Sequence, residues 1–210
     1  KDYNIIEVGS STLDRKISDF ATENSLGGME FLSCIPGSIG GGVKMNSGCY
    51  GDDISKILLS IDVINENGQV ITLLNKQINF KYRGCDLADN LIILNVKLKG
   101  ISSNKNKIKK KQIELIERKK ISQPSKIKTC GSTFKNPFGK KAWKLIKDSN
   151  CENITVGDAQ ISKKHCNFFI NNGKAKSYEI EELIKKVKKQ VFSKTGINLE
   201  LEIKVIGINN

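Results

Sequence analysis

The sequence lacks any long apolar run. No stretch of about 18 consecutive apolar residues occurs among its 210 positions, which excludes a hydrophobic transmembrane helix. The first residues, Lys1 to Asn4, carry no apolar segment of the kind found in signal peptides. We therefore expect no membrane insertion and a cytoplasmic location, in a chain long enough for two modest domains.

Arginine is scarce despite a net charge of +13. Only three of the 35 basic residues are arginine, namely Arg15, Arg83 and Arg118, and aromatic residues make up 6% of the chain. Nucleic-acid sites use arginine for bidentate contacts with guanine and for stacking. The lysines, accompanied by the abundant Ile and Asn of an A/T-rich genome, therefore predict a solvated surface and no nucleic-acid partner. A lysine-rich module that binds a nucleotide sugar or a nucleic acid is an alternative.

Patterns typical of metal sites and of common catalytic motifs are also missing. The cysteines form no CxxC pair, and no histidine stands at zinc-finger spacing, so we predict reduced, buried thiols and no metal. The cysteine positions are Cys34, Cys49, Cys85, Cys130, Cys151 and Cys166. The chain has no P-loop lysine motif, no GxGxxG after a strand and no Ser-His-Asp order.

The hydrophobic pattern predicts an α+β protein in two parts. Helices are expected at 13–25, 101–120, 142–146 and 178–193, and strands at 58–64, 70–73, 91–98, 168–170 and 199–205. Asn67-Gly68 predicts a hairpin, while Ser177 and Gly196 are expected to cap and end the last helix. Because the composition turns lysine-rich after residue 100, we expect one domain at 1–102 and a second at 103–210.

Glycine is concentrated in one segment. Residues 27–51 contain eight of the 18 glycines, and Pro36 lies among them. Such a segment either packs two elements closely or presents main-chain amides to a flat cofactor or a diphosphate. Asn46 could add a side-chain amide to that surface.

Four further features carry polar groups suited to chemistry, each with a plain structural alternative. In the turn GSTFKNP, from Gly131 to Pro137, a hydroxyl, an ammonium and an amide converge. Arg83 beside Tyr82 suits a carboxylate or phosphate fork. His165 is either a general acid–base or a structural residue. Glu202 falls on the polar face of the predicted last strand, where an exposed carboxylate needs no function.

Taken in order, these segments resemble the UDP-N-acetylenolpyruvoylglucosamine reductase family, in its second subtype. The similar stretches are EFLSCIPGSIGGGVKMNSGCYG, KYRGC, ERKKISQP followed by GSTFKNP, GDAQISKKHCNFFIN and LELEIKVIG. The resemblance covers nearly the whole chain. It implies a partial FAD-binding domain of the vanillyl-alcohol-oxidase-like type, followed by an α+β substrate-binding domain.

The resemblance also implies an activity and a set of site residues. The family uses NADPH and FAD to reduce UDP-N-acetylglucosamine enolpyruvate to UDP-N-acetylmuramate in peptidoglycan synthesis, and a monomer is expected. Arg83 matches an arginine that binds the substrate carboxylate and stabilises the developing charge, Glu202 matches a carboxylate that assists opposite it, and Ser132 matches the serine that delivers a proton. The resemblance implies no catalytic role for His165. The residues expected to contact substrate are Tyr82, Lys135 and Asn136, and those expected to contact FAD are Pro36, Gly37, Ser38, Gly40, Gly41, Gly42, Asn46 and Gly48.

The chain departs from the family pattern in two respects. Cys34, Cys49 and Cys85 replace small residues, which we expect to be tolerated. The family also carries an earlier lobe with a phosphate-binding loop, and this chain begins beyond it. We therefore expect little FAD retention by these 210 residues alone. A remnant that is not catalytic and binds no flavin is the alternative to an enzyme.

Overall fold

The computed structural model describes residues 4–125 and 127–207. The chain divides into two units, Lys1–Lys119 and Lys120–Asn210, each with its own hydrophobic core. Within the described residues, no helix is long and apolar enough to cross a bilayer.

The strands of the first unit are mostly short, and its helices lie at its beginning and end. The strands are β1 (Ile5–Gly9), β2 (Leu26–Gly27), β3 (Gly48–Cys49), β4 (Asp52–Asp53), β5 (Leu58–Ile64), β6 (Val70–Leu74), β7 (Phe80–Lys81), β8 (Gly84–Cys85), β9 (Ile92–Lys99) and β10 (Ile101–Ser102). The helices are α1 (Asp14–Glu23), α2 (Ile39–Lys44) and α3 (Lys105–Ser122), with 3-10 helices at Glu30–Cys34, Ile54–Lys56 and Asn75–Gln77.

An antiparallel sheet in the order β1-β9-β5-β6 forms the centre of this unit. The predicted hairpin between β5 and β6 is confirmed: Gly68 has φ +75°, and the Asn65 side-chain oxygen accepts from the amides of Asn67 and Gln69. Three two-stranded pairs, β2 with β10, β3 with β4 and β7 with β8, lie outside the sheet. The buried core comprises Ile6, Ile17, Ala21, Leu26, Met29, Phe31, Leu32, Ile39, Val43, Ile54, Ile57, Leu58, Ile61, Val63, Ile78, Leu87, Val96 and Leu98.

Helix α3 explains why the units divide later than the composition changes. Most of its lysines are exposed and Lys119 is half-buried, while Ile108 and Gln112 are buried. The Gln112 amide nitrogen donates to Ser18 Oγ (3.2 Å) and to Asp19 Oδ1 (2.8 Å) on α1. The helix therefore packs mainly on the first unit, although it follows the lysine-rich change in composition. The division into functional domains at 102/103 stays a prediction.

The second unit is a small sheet covered by helices. Its strands are β11 (Lys128–Ser132), β12 (Thr155–Val156), β13 (Ala159–Ile161) and β14 (Phe168–Asn171), in the order β11-β14-β13-β12, and its helices are α4 (Ala142–Asp148) and α5 (Ser177–Thr195). Buried positions on α5 follow the predicted stripe: Leu183, Ile184, Val187 and Val191. Gly196 ends the helix at φ +69°, as predicted. The predicted Ser177 cap is wrong, because Lys176 is the N-cap residue and its amide donates to Glu179 Oε2 at 2.8 Å.

The predicted last strand at 199–205 is wrong. Leu201 forms only an isolated antiparallel bridge, with Phe134. In the antiparallel register of that bridge, residues 202–205 would lie opposite 133–130, where Gly131 has φ +88° and interrupts the extended backbone. The pairing therefore ends after one bridge, and Glu202 lies just beyond it rather than in mid-strand.

The prediction of buried, reduced thiols holds in part. Every cysteine is free, and Cys34, Cys151 and Cys166 are buried. Cys49 and Cys85 are half-buried, and Cys130 is exposed because it lies on β11, at the edge of the second sheet.

Asp14 is a buried carboxyl that the sequence analysis did not single out. It lies in the first turn of α1, with no exposed surface. Its oxygens lie 3.8 Å from the point where a Cβ would stand on Gly37 and 3.6 Å from that point on Gly42. Neither oxygen has a hydrogen-bond partner within the described residues. Burial raises the pKa of the Asp14 carboxyl to about 6, because desolvation penalises the charged form.

We expect Asp14→Asn to remove a pH-dependent loss of stability. Because the folded pKa of about 6 exceeds the ordinary 3.8, the folded state binds the proton more tightly. The free energy of unfolding therefore falls as the pH rises from about 4 through about 6. In urea denaturation, the variant should gain about 2 kcal/mol relative to the wild type between about pH 4 and about pH 7. The exposed Asp148 gives the control, since Asp148→Asn should show no such gain. If the difference in unfolding free energy between Asp14→Asn and the wild type were also independent of pH, the assignment would be contradicted.

Candidate active site

The glycine segment, residues 36–48, packs its backbone directly against the residues before α1. The amide of Ile39 donates to the Thr12 carbonyl (2.9 Å), and that of Gly40 donates to the Ser10 carbonyl (2.9 Å). A Cβ on Gly40 would lie 2.8 Å from Ser10 Cβ, closer than real Cβ contacts. Glycine at this position therefore permits close packing of two backbone segments, one of the two interpretations of the glycine content.

The same segment also has main-chain amides that make no bond to the protein, as the cofactor interpretation of the glycine content requires. Within the described residues, no hydrogen bond is donated by the amides of Gly37, Ser38 or Gly41. Pro36, Gly37 and Gly41 are exposed, and a Cβ on Gly41 would meet only Ser38 Oγ, at 3.8 Å. Unpaired, side-chain-free amides on a surface suit the oxygens of a dinucleotide or the edge of a flat ring. These residues fit FAD.

Asn46 is buried and holds the segment in place. Its amide nitrogen donates to the Lys81 carbonyl (3.1 Å), and its oxygen accepts from the Ser55 amide (3.1 Å). Asn46 adopts a φ of +41°, a left-handed conformation that asparagine tolerates better than most residues. Both ends of this side chain are thus engaged by the protein, and its predicted contact with FAD stays a prediction.

Arg83 is attached to the glycine segment. It lies in the two-residue turn between β7 and β8 with φ +58°, and its Nη2 donates to the Gly48 carbonyl at 2.9 Å. The guanidinium carbon lies 5.0 Å from the centre of the Tyr82 ring, within cation–π range. Gly48 is required because a Cβ there would lie 2.3 Å from the Asp52 carbonyl oxygen. The first unit therefore brings Arg83, Tyr82 and the glycine segment together.

In the second unit, Ser132 ends β11 directly after Gly131, which has φ +88°. The next amide, of Thr133, donates to the Asn167 carbonyl (2.7 Å). The buried Asn167 side chain accepts from the Phe134 amide (3.0 Å) and donates to the Phe134 carbonyl (2.8 Å), as a neighbouring strand would. Asn167 is thus a positioning residue that the analysis of residue types missed, although it lies within the quoted stretch GDAQISKKHCNFFIN.

Glu202 is held beside the Ser132 turn by main-chain bonds. Its amide donates to the Thr133 carbonyl (2.9 Å), and the Lys135 amide donates to the Glu200 carbonyl (2.8 Å). These two bonds flank the bridge between Phe134 and Leu201. Two segments 70 residues apart in sequence thus lie side by side, one carrying the Ser132 hydroxyl and the other the Glu202 carboxylate.

The two expected substrate ligands of this unit lie on the same turn. Lys135 Nζ is 3.7 Å from Glu200, an exposed ion pair that contributes little to stability. Asn136 Oδ1 accepts from the Ala142 amide (3.0 Å) at the start of α4, which fixes the plane of its amide. The predicted roles of both residues stay predictions.

His165 lies among aromatic side chains. Its ring centre is 4.8 Å from that of Phe168 and 6.4 Å from that of Trp143. Burial lowers the pKa of His165, and its Nδ1 accepts from the Asn167 amide (3.3 Å). A neutral imidazole that supports the Asn167 backbone agrees with the structural interpretation. Metal-ligating residues are not clustered elsewhere either: no group of three or more His, Cys, Asp or Glu side chains suited to a metal ion occurs in the described residues.

Two family profiles match the chain. The profile described as UDP-N-acetylenolpyruvoylglucosamine reductase, C-terminal domain, matches residues 123–206, and the profile described as FAD binding domain matches residues 1–74. The predicted fold, an FAD-binding domain followed by an α+β domain, is confirmed by these matches and by the mixed helices and strands of both units.

Proteins named UDP-N-acetylenolpyruvoylglucosamine reductase are similar to almost the whole chain. The protein of Pelagibacter ubique (strain HTCC1062) is 50% identical over 206 residues, which are 97% of this chain and 68% of that protein. The protein of Gluconobacter oxydans (strain 621H) is 39% identical and covers 97% of this chain, which spans 67% of that relative. The crystal structure of the reductase from Thermus caldophilus superposes with a TM-score of 0.86 at 32% identity, covering 97% of this chain and 73% of that one.

The similarity extends over both units, since these relatives cover 97% of the chain. It confirms the predicted class of enzyme, an FAD-dependent oxidoreductase, and the predicted cofactors FAD and NADPH. The relatives are longer, since the chain spans about two thirds of their length. On this similarity, the chain belongs to the UDP-N-acetylenolpyruvoylglucosamine reductase family.

Proposed function

We propose that the protein reduces UDP-N-acetylglucosamine enolpyruvate to UDP-N-acetylmuramate, with NADPH as reductant, in the cytoplasmic stage of peptidoglycan synthesis. The observation that carries this proposal is the pairing that holds Glu202 against the Ser132 turn. Reduction of an enol ether needs a proton at the carbon next to the one that receives hydride. A hydroxyl and a carboxylate on adjoining backbone supply the groups for that step.

The glycine segment is proposed to hold the cofactor through its outward amides. Gly37, Ser38 and Gly41 would donate to FAD oxygens, while Asn46 fixes the end of the segment from beneath. When bound, FAD carries hydride from NADPH to the enol-ether carbon of the substrate. The role of the protein at this stage is to orient the substrate and exclude water.

Arg83 is proposed to bind the substrate carboxylate. As hydride arrives, negative charge builds on the neighbouring carbon and is delocalised into that carboxylate. A guanidinium placed there stabilises the charge electrostatically, and a donor positioned in advance acts without reorganisation. The bond to the Gly48 carbonyl and the contact with Tyr82 hold the Arg83 guanidinium in one orientation. Tyr82 would line the same subsite.

Ser132 is proposed to deliver the proton, with Glu202 beside it. A serine hydroxyl is a weak acid in water, so this role needs a strongly basic carbanion and a fixed, dry geometry. Two main-chain bonds at Thr133 and two bonds between Phe134 and the Asn167 side chain supply the fixed geometry. Lys135 and Asn136, on the same turn, would contact the anionic sugar nucleotide.

We expect Ser132→Ala to separate the two halves of the reaction. In a protein that also carries the earlier flavin lobe of the family, reduction of bound flavin by NADPH, followed by its absorbance in stopped flow, should be unchanged, because Ser132 takes no part in it. Steady-state turnover with the enolpyruvyl sugar nucleotide should fall by about 100-fold or more, the usual size of a proton-transfer contribution. Ser193→Ala, on the exposed face of α5, is the matched control. Turnover that survives in Ser132→Ala would remove the proton-donor assignment.

Two alanine substitutions should distinguish Gly40, which packs on Ser10, from Gly41, which is proposed to contact FAD. Gly41→Ala meets no close atom and lies inside α2, so the thermal midpoint should hold or rise. Its methyl group would stand on the surface proposed for FAD, and we expect FAD affinity, measured by flavin fluorescence, to weaken by about tenfold or more.

Gly40→Ala should behave in the opposite way. Its Cβ would collide with Ser10, so the thermal midpoint should drop whether or not FAD is present. Normal FAD affinity in a stable Gly41→Ala protein would show that the outward amides do not bind the cofactor.

A further inference from the structure

Two cysteines meet beside the glycine segment. Cys34 is the last residue of the 3-10 helix Glu30–Cys34, and Cys49 lies in β3. Their thiols share a hydrogen bond, although the residues are 15 positions apart. Ser33 Oγ lies 3.7 Å from Cys34 Sγ, and Cys49 Sγ also lies 3.5 Å from the Phe31 carbonyl. Both side chains are therefore held in position on separate elements of one core.

The surroundings make the two thiols unequal. The hydrogen bond from Cys49 lowers the pKa of Cys34 to about 6, against the opposing effect of burial, and Ser33 and the positive Lys119 add to the lowering. The Lys119 ammonium donates to the Cys34 carbonyl at 2.6 Å, which fixes the charge at this point. The same hydrogen bond, together with burial, raises the pKa of Cys49. One thiol is thus poised as a thiolate, and its neighbour keeps its proton.

The cysteines of the second unit provide a contrast. Burial raises the pKa of Cys151 to about 11 and also raises that of Cys166. The exposed Cys130 has no cysteine beside it in either neighbouring position of its strand. A low-pKa thiol in contact with a protonated one is the arrangement of a reactive cysteine with its resolving partner.

We propose that Cys34 and Cys49 form a site of reversible oxidation, at which hydrogen peroxide converts the two thiols into a disulfide. The Cys34 thiolate attacks one oxygen of the peroxide, the O–O bond breaks, and the departing hydroxide takes up a proton to become water. Cys34 is then a sulfenic acid. The Cys49 sulfur attacks it, losing its proton as the S–O bond breaks, and a second water leaves. Two thiols are oxidised and one peroxide is reduced.

Oxidation at this site acts on the backbone that holds Arg83. A disulfide brings the sulfur atoms to about 2.05 Å, closer than any thiol hydrogen bond allows. Closing this gap takes rotation of the two side chains or movement of β3 toward the 3-10 helix. Cys49 directly follows Gly48, whose carbonyl accepts from Arg83 Nη2. The arginine proposed to bind substrate thus shares its anchor with the oxidised residue.

Tryptic peptides of the 210-residue chain separate the two cysteines. Trypsin cuts after Lys16, Lys44 and Lys56, so Cys34 is released in peptide 17–44 and Cys49 in peptide 45–56, with one cysteine in each. After treatment of the folded protein with hydrogen peroxide, mass spectrometry without reductant should find these peptides joined, at their summed mass less two hydrogens. Dithiothreitol should release them. Recovery of both peptides as free thiols, or cross-linked to other cysteines, would overturn the proposal.

Single substitutions test the order of events. Cys49→Ser should stop at a sulfenic acid on Cys34 that dimedone traps, whereas Cys34→Ser should leave Cys49 unreacted. Cys130→Ser and Cys85→Ser, as controls, should form the disulfide at the wild-type rate. The wild-type rate of thiol loss should rise with a midpoint near the Cys34 pKa of about 6. Oxidation of Cys49 in the Cys34→Ser protein, or a midpoint in the range of an ordinary thiol, would contradict this assignment.

Discussion

The close approach of the glycine segment to its neighbours determines the shape of the first unit. At Gly40 the backbone rests on Ser10, and at Gly48 it rests on the Asp52 carbonyl, at separations that no Cβ could tolerate. The inner side of the segment is in contact with protein, while the amides of Gly37, Ser38 and Gly41 donate no hydrogen bond within the described residues, and Gly37 and Gly41 are exposed. Both interpretations of these glycines therefore apply to the same backbone: one side packs on the protein, and the other is proposed to bind the cofactor. The buried Asp14 carboxyl lies next to Gly37 and Gly42 of the same segment, and its oxygens have no hydrogen-bond partner within the described residues.

Lysine has a more specific role here than the composition indicates. Most lysines are solvated, as predicted, but Lys44, Lys111 and Lys119 reach polar groups around the glycine segment. Lys44 Nζ pairs with Asp89 at 2.8 Å, and Lys111 Nζ lies 3.5 Å from the buried Glu30 carboxylate. Glu30 in turn accepts from the Gly28 amide at 3.0 Å. Since Glu30 is only 6% exposed, its charge requires such partners, and a lysine nearby compensates for lost hydration.

The sequence predicts what depends on local periodicity and misses what depends on contacts between distant segments. Helix α5 and the β5–β6 hairpin were predictable, because a buried stripe, a glycine end and an Asn-Gly turn are local signals. The alternation at 199–205 has the same appearance as a strand, yet in the register of the Phe134–Leu201 bridge residues 202–205 would lie opposite the left-handed Gly131 and its neighbours, and only that bridge forms. Asp14 and the Cys34–Cys49 contact carry no local signal. The quoted motifs did identify Arg83, Ser132 and Glu202 as candidates, but their anchors appear only in three dimensions.

The second unit shows why a single bridge is sufficient to position Ser132. The turn is held on one side by the backbone of Glu200 and Glu202 and on the other by Asn167. Asn167 uses a side-chain amide to make the two bonds that a strand residue would make with its main chain, so the turn is restrained without a continuous ladder. A continuous ladder would force residues 131–137 into extended geometry, and the left-handed Gly131 that turns the chain into Ser132 would not fit. Replacing a strand by one asparagine and one bridge holds the backbone in place while leaving it bent, as the role proposed for Ser132 requires.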